Sequence, residues 1–310
     1  MLSVILPVYN EEQNIDRAYQ AIKDVLKPEN IEFELVYVND GSKDSSFEKI
    51  QALAQKVSDA KITGVSFSRN FGKEAAIFSG LAHASGDVCA VMDCDLQHPP
   101  ATLVEMYRLW EQGFEIIEGV KRSRGKENIL YKGAAKLFYN VISNATGIEM
   151  YHASDFKMLD RKVVEEYIRL PERNIFFRAL SSWLGFKSAT VEFDVEERQA
   201  GVTKWSLKSL ARYAIGSITA FTTAPMQLIT FMGCIFFIFA FVLGIQSLVK
   251  WGSGQALEGF TTIILLVLIT GSLIMMSLGI IGYYLAKIYE EIKARPRYIV
   301  EEIVRSKNQE

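Results

Sequence analysis

The chain has 310 residues, long for one domain and short for three, with 49% hydrophobic and 23% charged residues. Its 34 Lys and Arg against 36 Asp and Glu give a net charge of −2, which removes any global case for nucleic-acid binding and leaves only local basic clusters for phosphates. Three cysteines, Cys89, Cys94 and Cys234, stand at no CxxC or zinc spacing, which excludes a disulfide framework and fits a reducing compartment.

The N-terminal MLSVILPVYN has no basic segment, and its apolar run is too short for a secretory signal. It reads as a buried first strand. Three further β-rich runs follow: ELVYVND, KITGVSFS and DVCAVMDCD. Short runs of Val, Ile and Phe are what strands covered on both faces look like. Between them, residues 14–26, 45–58 and 73–83 carry Ile, Leu, Val and Ala at helical spacing. This alternation predicts an α/β fold with a mostly parallel sheet. Ligands of such sheets bind at the carboxyl ends of the strands. The polar clusters YNEE, NDGSKDSS, SRNFGK and DCDLQHPP all fall there.

Each cluster has a chemistry and a plainer alternative. In Pro7-Val8-Tyr9-Asn10-Glu11, Tyr9 suits stacking on a base, and Glu11 suits a ribose hydroxyl or a helix cap. Asp40 can accept from a base or ribose while Gly41 permits the tight turn, although NDGS alone is a common turn. Arg69-Asn70-Phe71-Gly72-Lys73 puts two cations and a glycine before a helix, which suits a phosphate at the helix N-terminus. Asp93 and Asp95 flank one residue after a buried run and can share a divalent cation. Hard oxygen ligands favour Mg²⁺ or Mn²⁺, with Gln97 adding a carbonyl oxygen. His98 reads as an exposed loop histidine, with a place near the metal as the alternative, and His83 is given no role.

The character changes after Arg212. Residues 213–249 and 259–286 contain no charge. A hydrocarbon core of ~30 Å takes about 20 helical residues, so membrane spans are expected at about 226–249 and 260–285. Residues 205–225 read as an interfacial amphipathic helix, with the alternative that they begin the first span. Lys204, Lys208 and Arg212 precede the first span, and Lys287, Lys293, Arg295 and Arg297 follow the second. Both ends are therefore expected in the cytoplasm, joined by a short external loop. The expected organisation is a catalytic domain at 1–204, the interfacial helix, a hairpin at 226–287 and a cytoplasmic tail at 288–310.

As a set, the motifs resemble the inverting GT-A glycosyltransferases of family two, and within it the polyprenyl-phosphate hexose synthases (dolichyl-phosphate mannose synthase and bactoprenol glucosyltransferase). The residues carrying the likeness are PVYNEE, VNDGSKD, SRNFGKEAAIFSGL, MDCDLQHPP, ASDFKMLDRKV, RNIFFRAL and ERQAGVTKWS. The resemblance implies a GT-A fold with a two-helix membrane hairpin. It implies that Pro7, Tyr9, Glu11 and Asp40 hold the nucleoside, with Lys73, Asp93 and Cys94 also on the nucleotide-sugar. Asp93, Asp95 and Gln97 would hold the metal and diphosphate, and Asp95 and Asp155 would be the catalytic pair. Asp155 is implied as the acceptor-side carboxylate, as a base or as an orienting group. Arg198 and Lys204 would contact phosphates near the membrane. Arg122, Lys132 and Lys136, in KRSRGKENILYKGAAK, offer cations to a lipid phosphate or form a solvated loop.

The implied reaction transfers a hexose, with UDP-glucose as the first choice of donor, to polyprenyl phosphate with inversion. N-acetylglucosamine, mannose from a GDP donor and an aminoarabinose stay open. So do another membrane acceptor, such as diacylglycerol or a surface glycan, and a non-catalytic scaffold. The resemblance also implies a homo-oligomer, with a tetramer among the options. Asn39 and Cys94 depart from the commonest residues at their positions, and the absence of a QxxRW motif favours single transfer over polymerisation.

Overall fold

The structure, a computed structural model, describes residues 1–122, 154–172, 177–178, 183–194, 224–253 and 260–306. The chain divides into two units, Met1–Ser206 with Pro296–Glu310, and Leu207–Arg295.

The first unit follows the predicted alternation: β1 Leu2–Val8, α1 Ile15–Leu26, β2 Phe33–Asn39, α2 Ser46–Lys56, β3 Lys61–Phe67, α3 Lys73–His83 and β4 Val88–Val91. Then come α4 Thr102–Glu111, β5 Ile116–Lys121, β6 Lys157–Asp160, α5 Arg161–Arg169 and β7 Ser188–Phe193. Among the described residues these strands and β8, Val300–Arg305, form one sheet in the order β7-β5-β6-β4-β1-β2-β3-β8. β4, β1, β2 and β3 run parallel, β6 is antiparallel to β4 and β5, and β8 is antiparallel to β3. The order reverses at β1, so the loops after β1, β2 and β4 open side by side at one edge.

Side chains alternate between two cores. Leu2, Val4, Leu6 and Val8 of β1 pack with Ile15, Ile22 and Leu26 of α1, Ile50 and Leu53 of α2, and Leu103 and Met106 of α4. Ile5, Val36, Val38 and Val65 face the other way, onto Ala76, Ile77 and Leu81 of α3 and Val163, Val164 and Tyr167 of α5. Both faces are covered, which is why these strands read as unbroken apolar runs.

The expected tail at 288–310 contains β8. The outer edge of β3 would otherwise present unpaired backbone groups, and β8 closes it, with Thr63 opposite Arg305 and Val65 opposite Ile303. Gly64 makes the fit possible: a Cβ there would lie 2.5 Å from Ile50 and 2.7 Å from Val304. Ser306 pins the end through its N–H to the Ile62 carbonyl at 2.9 Å. Arg297 donates to the Leu170 and Glu172 carbonyls and lies over Phe78, so it is engaged within this unit.

The second unit contains α6, Ala224–Gly252, and α7, Phe260–Ile292, each long and apolar enough to cross a membrane. Phe237 and Met275, 73% and 70% exposed, show how apolar their outer surfaces are. α7 runs past the expected end at residue 285 and carries Lys287, Glu290 and Glu291 on its last turns. The expected interfacial helix at 205–225 lies almost wholly outside the described residues.

Candidate active site

The loops after β1 and β2 are laced together by short polar side chains. Asn10, at φ 56°, donates its N–H to Ser42 Oγ at 2.9 Å, and its Oδ1 accepts from the Lys43 N–H at 2.8 Å. Glu11 donates its N–H to Ser46 Oγ at 3.0 Å, and its carboxylate accepts from Asn14 Nδ2 at 2.5 Å. Tyr9 stands out from this lattice, 46% exposed, as a stacking residue would.

Asp40, expected to hold the nucleoside, has backbone partners of its own. It is 4% exposed, and its two carboxylate oxygens accept from the N–H groups of Phe71, at 2.6 Å, and Gly72, at 2.9 Å. Burial raises its pKa, against the pull of those two N–H groups and of Arg69. Gly41 brings the two loops into contact, with φ at 63° and its missing Cβ only 2.4 Å from the Arg69 carbonyl carbon. Asp40 and Gly41 together therefore hold the loop that leads into α3.

That loop delivers Lys73 to the first turn of α3. Its ammonium lies between two carboxylates, 2.6 Å from Asp93 Oδ1 and 2.9 Å from Asp155 Oδ2. Burial opposes its charge, but Asp93 and Asp155 outweigh burial and hold its pKa up. Asp155, 8% exposed, also receives Arg178, whose Nε and a terminal nitrogen donate to its two oxygens at 2.6 and 2.9 Å. Burial would raise its pKa, yet Lys73 and Arg178 hold it far below the usual carboxylate range. Asp93 shows the same balance: burial resists its charge, while Lys73 and then His98 lower its pKa.

The Asp93-Cys94-Asp95 turn is shaped by its own backbone. Leu96 sits at φ 58°, and the Gln97 N–H donates to Asp95 Oδ1 at 3.1 Å. Cys94 is 2% exposed and packs into the core under the turn, so any contact it makes with a donor is through its backbone. His98 corrects the reading of an exposed loop residue. It is 5% exposed, stacked on Phe156 at 4.7 Å and edge-on to Phe193 at 5.5 Å, and its Nδ1 accepts the Asp93 N–H at 3.4 Å. The two phenylalanines form an aromatic slot that sequence spacing does not reveal. Burial, the largest effect on it, pushes the His98 pKa down.

Among the described residues no three His, Cys, Asp or Glu side chains converge on one point. Asp93 and Asp95 nevertheless supply two ionisable carboxylates from one turn. Such a sparse, all-oxygen protein set fits a divalent cation that takes its remaining ligands from substrate phosphates and water. Arg122 is 60% exposed at the end of β5 and paired with Glu192 and Asp194, each at 3.3 Å. Lys132, Lys136, Arg198 and Lys204 lie outside the described residues.

The family model for "Glycosyl transferase family 2" matches residues 3–168. The chain belongs to this family. It is 37% identical over 304 residues to an uncharacterized glycosyltransferase, YkcC, of Bacillus subtilis, covering 96% of this chain and 93% of that protein. It is 35% identical over 306 residues to a prophage bactoprenol glucosyl transferase homolog of Escherichia coli, covering 97% and 99%. Among solved structures, glucosyl-3-phosphoglycerate synthase from Mycobacterium tuberculosis is similar at 18% identity and a TM-score of 0.49, over 71% of this chain and 77% of that one.

As a member of that family the protein is a glycosyltransferase, and its GT-A catalytic fold goes with that membership. The transferase carries site residues to which sequence reasoning gave no role. Arg178 lies in the RNIFFRAL motif, and only its contact with Asp155 marks it. Glu74 reads as an ordinary acid in a first helical turn, yet its Oε2 accepts the Phe177 N–H at 2.9 Å. Lys157, fully buried, donates to the Arg178 carbonyl at 2.9 Å and pairs with Glu118 at 3.4 Å. A lysine between Phe156 and the apolar Met158-Leu159 was the available signal for the last.

Proposed function

We propose that the transferase moves glucose from UDP-glucose to polyprenyl phosphate, with inversion, at the cytoplasmic face of the plasma membrane. One observation carries the acceptor class: Asp155 is held ionised by Lys73 and by a two-point contact from Arg178. A carboxylate so stabilised in its charged form is a weak proton acceptor. A sugar hydroxyl needs such a base when it attacks. A phosphate is already an anion and needs positioning and charge shielding instead, which Lys73 and Arg178 supply. The name of the Escherichia coli relative supports a bactoprenol-type lipid and glucose.

In this reading Pro7, Tyr9 and Glu11 bind the nucleoside, and Asp40 acts chiefly through the loop it holds. Asp93 and Asp95, with Gln97, hold a divalent cation, Mg²⁺ or Mn²⁺. That ion, when bound, supplies charge to the diphosphate as it leaves. Asp155 orients the transferring sugar and the cations around it. Arg122, Lys132, Lys136, Arg198 and Lys204 serve the phosphates of donor and lipid. α6 and α7 span the bilayer, and the chain on either side of them belongs to the catalytic unit, which supports an even number of crossings. The basic residues flanking the spans favour the cytoplasmic side for that unit, where nucleotide-sugars are made. Assembly as a homo-oligomer, a tetramer among the options, completes the proposal.

Membranes containing the protein, given radiolabelled UDP-glucose and undecaprenyl phosphate, should form a labelled lipid that mild acid releases. An acid-stable labelled lipid would overturn the phosphate acceptor. Labelling only from another nucleotide-sugar would change the sugar and leave the acceptor standing.

A further inference from the structure

We infer that Glu74 is a positioning residue that sets Arg178 against Asp155. The inference deepens the reading above and rests on it for the importance of Arg178. Lys73 and Glu74 are consecutive on the first turn of α3 and do opposite things. Lys73 reaches into the site, to Asp93 and Asp155. Glu74 turns to the chain at Phe177 and accepts its N–H at 2.9 Å. The following residue, Arg178, then returns its guanidinium to Asp155. The ring runs from α3 to Phe177, through Arg178 to Asp155, and back through Lys73 to α3.

Other contacts show that this dipeptide is fixed on purpose. The Phe177 ring is fully buried and meets Tyr167 edge-on at 5.6 Å. The Arg178 carbonyl accepts from the buried Lys157 ammonium. The segment is thus held at an N–H, a carbonyl, a ring and a guanidinium, and Glu74 is the hold that ties it to the helix bearing Lys73. The site is also a costly one for a carboxylate: burial, with the negative charge of Asp155, pushes the Glu74 pKa up to about 7 despite the Phe177 N–H, Arg178 and Lys73. None of the transfer steps proposed above uses Glu74 directly, so holding Phe177 is the role its geometry supports.

The test uses the full chain in lipid nanodiscs with UDP-glucose and undecaprenyl phosphate. A displacement of about 1 Å in a catalytic group can cost about 100-fold, so Glu74→Ala should lower kcat by about 10- to 100-fold. UDP-glucose affinity should stay within about twofold, because the nucleoside loops are elsewhere. Glu74→Gln keeps an oxygen for the Phe177 N–H and should stay within about threefold of wild type. In an Arg178→Ala background, Glu74→Ala should add less than about twofold, because the two act through one contact. A Gln variant as impaired as the Ala variant, or a full additive loss in that background, would overturn the inference. Amide exchange at Phe177, measured without substrate, should be faster in Glu74→Ala than in wild type or Glu74→Gln. Unchanged exchange also refutes the positioning role. A wild-type protein that transfers nothing to polyprenyl phosphate refutes only the acceptor, because the exchange readout does not depend on it.

Discussion

Replacing Asp40 by Asn separates a nucleoside ligand from a loop holder. Both carboxylate oxygens accept backbone N–H groups, from Phe71 at 2.6 Å and Gly72 at 2.9 Å. A hydrogen bond to a charged group contributes about 1.5–3 kcal/mol. Asparagine keeps one acceptor oxygen and turns an NH₂ toward the other N–H, so one bond is lost and one donor is stranded. Part of that loss is returned, because the neutral amide avoids the burial cost that raises the Asp40 pKa. A net cost of about 2 kcal/mol follows, or about 4–8 °C in Tm for a unit of roughly 200 residues. The assay is thermal unfolding of the full chain in detergent without nucleotide, with amide exchange read at Phe71 and Gly72. Exchange there should rise by about 30-fold, the equivalent of 2 kcal/mol. A variant with wild-type Tm and wild-type exchange, but weakened donor binding, would refute the loop-holding argument.

Gly41→Ala should be at least as damaging to Tm as the Asp40 change, because its Cβ would meet the Arg69 and Asn70 backbone at 2.4 and 2.5 Å with φ at 63°; an alanine variant of wild-type stability would mean the two loops can separate freely. Chelation of divalent cations should abolish transfer and Mg²⁺ or Mn²⁺ should restore it, whereas Asp95→Ala should stay inactive with metal yet still insert into membranes; full turnover by that variant removes the metal role. Glu74 has an ordinary pKa of 4.5 and about 7 in the fold, so between these values the folded state binds a proton that the unfolded chain does not. Stability from this group is present below about pH 4.5 and is lost as pH rises toward 7, by up to about 3 kcal/mol. Denaturant unfolding from pH 5 to 7 should therefore fall more steeply for wild type than for Glu74→Gln, and parallel curves would remove the effect.

The first four strands of the sheet were legible because they announce themselves locally: VILPV, ELVYVND and DVCAVMDCD are buried on both faces and end in polar loops. β5, β6 and β7 were not read as strands, and neither was β8, although Val300, Ile303 and Val304 carry a strand's composition. Its partner is β3, at the other end of the chain, and no local period records a pairing with a free edge. Motifs likewise picked out Lys73, Asp93 and Asp155, but not that the lysine lies between the two acids, since that depends on three segments meeting.

Three of the roles read least well, those of Asp40, Glu74 and His98, share one property: each accepts from a backbone N–H. Asp40 holds Phe71 and Gly72, Glu74 holds Phe177, and His98 holds Asp93. Every residue but proline has such a donor, so these contacts leave no mark in the sequence, whereas acid–base pairs leave charges to be matched. The same distinction orders the chemistry of the site. Acids paired with cations, Asp93 and Asp155, are the ones the proposed transfer uses, while acids bound to amides, Asp40 and Glu74, hold the segments around them. Amide substitution should sort the second pair by bond number. Gln at position 74 retains the single bond required of it, and Asn at position 40 cannot retain both of the bonds required there.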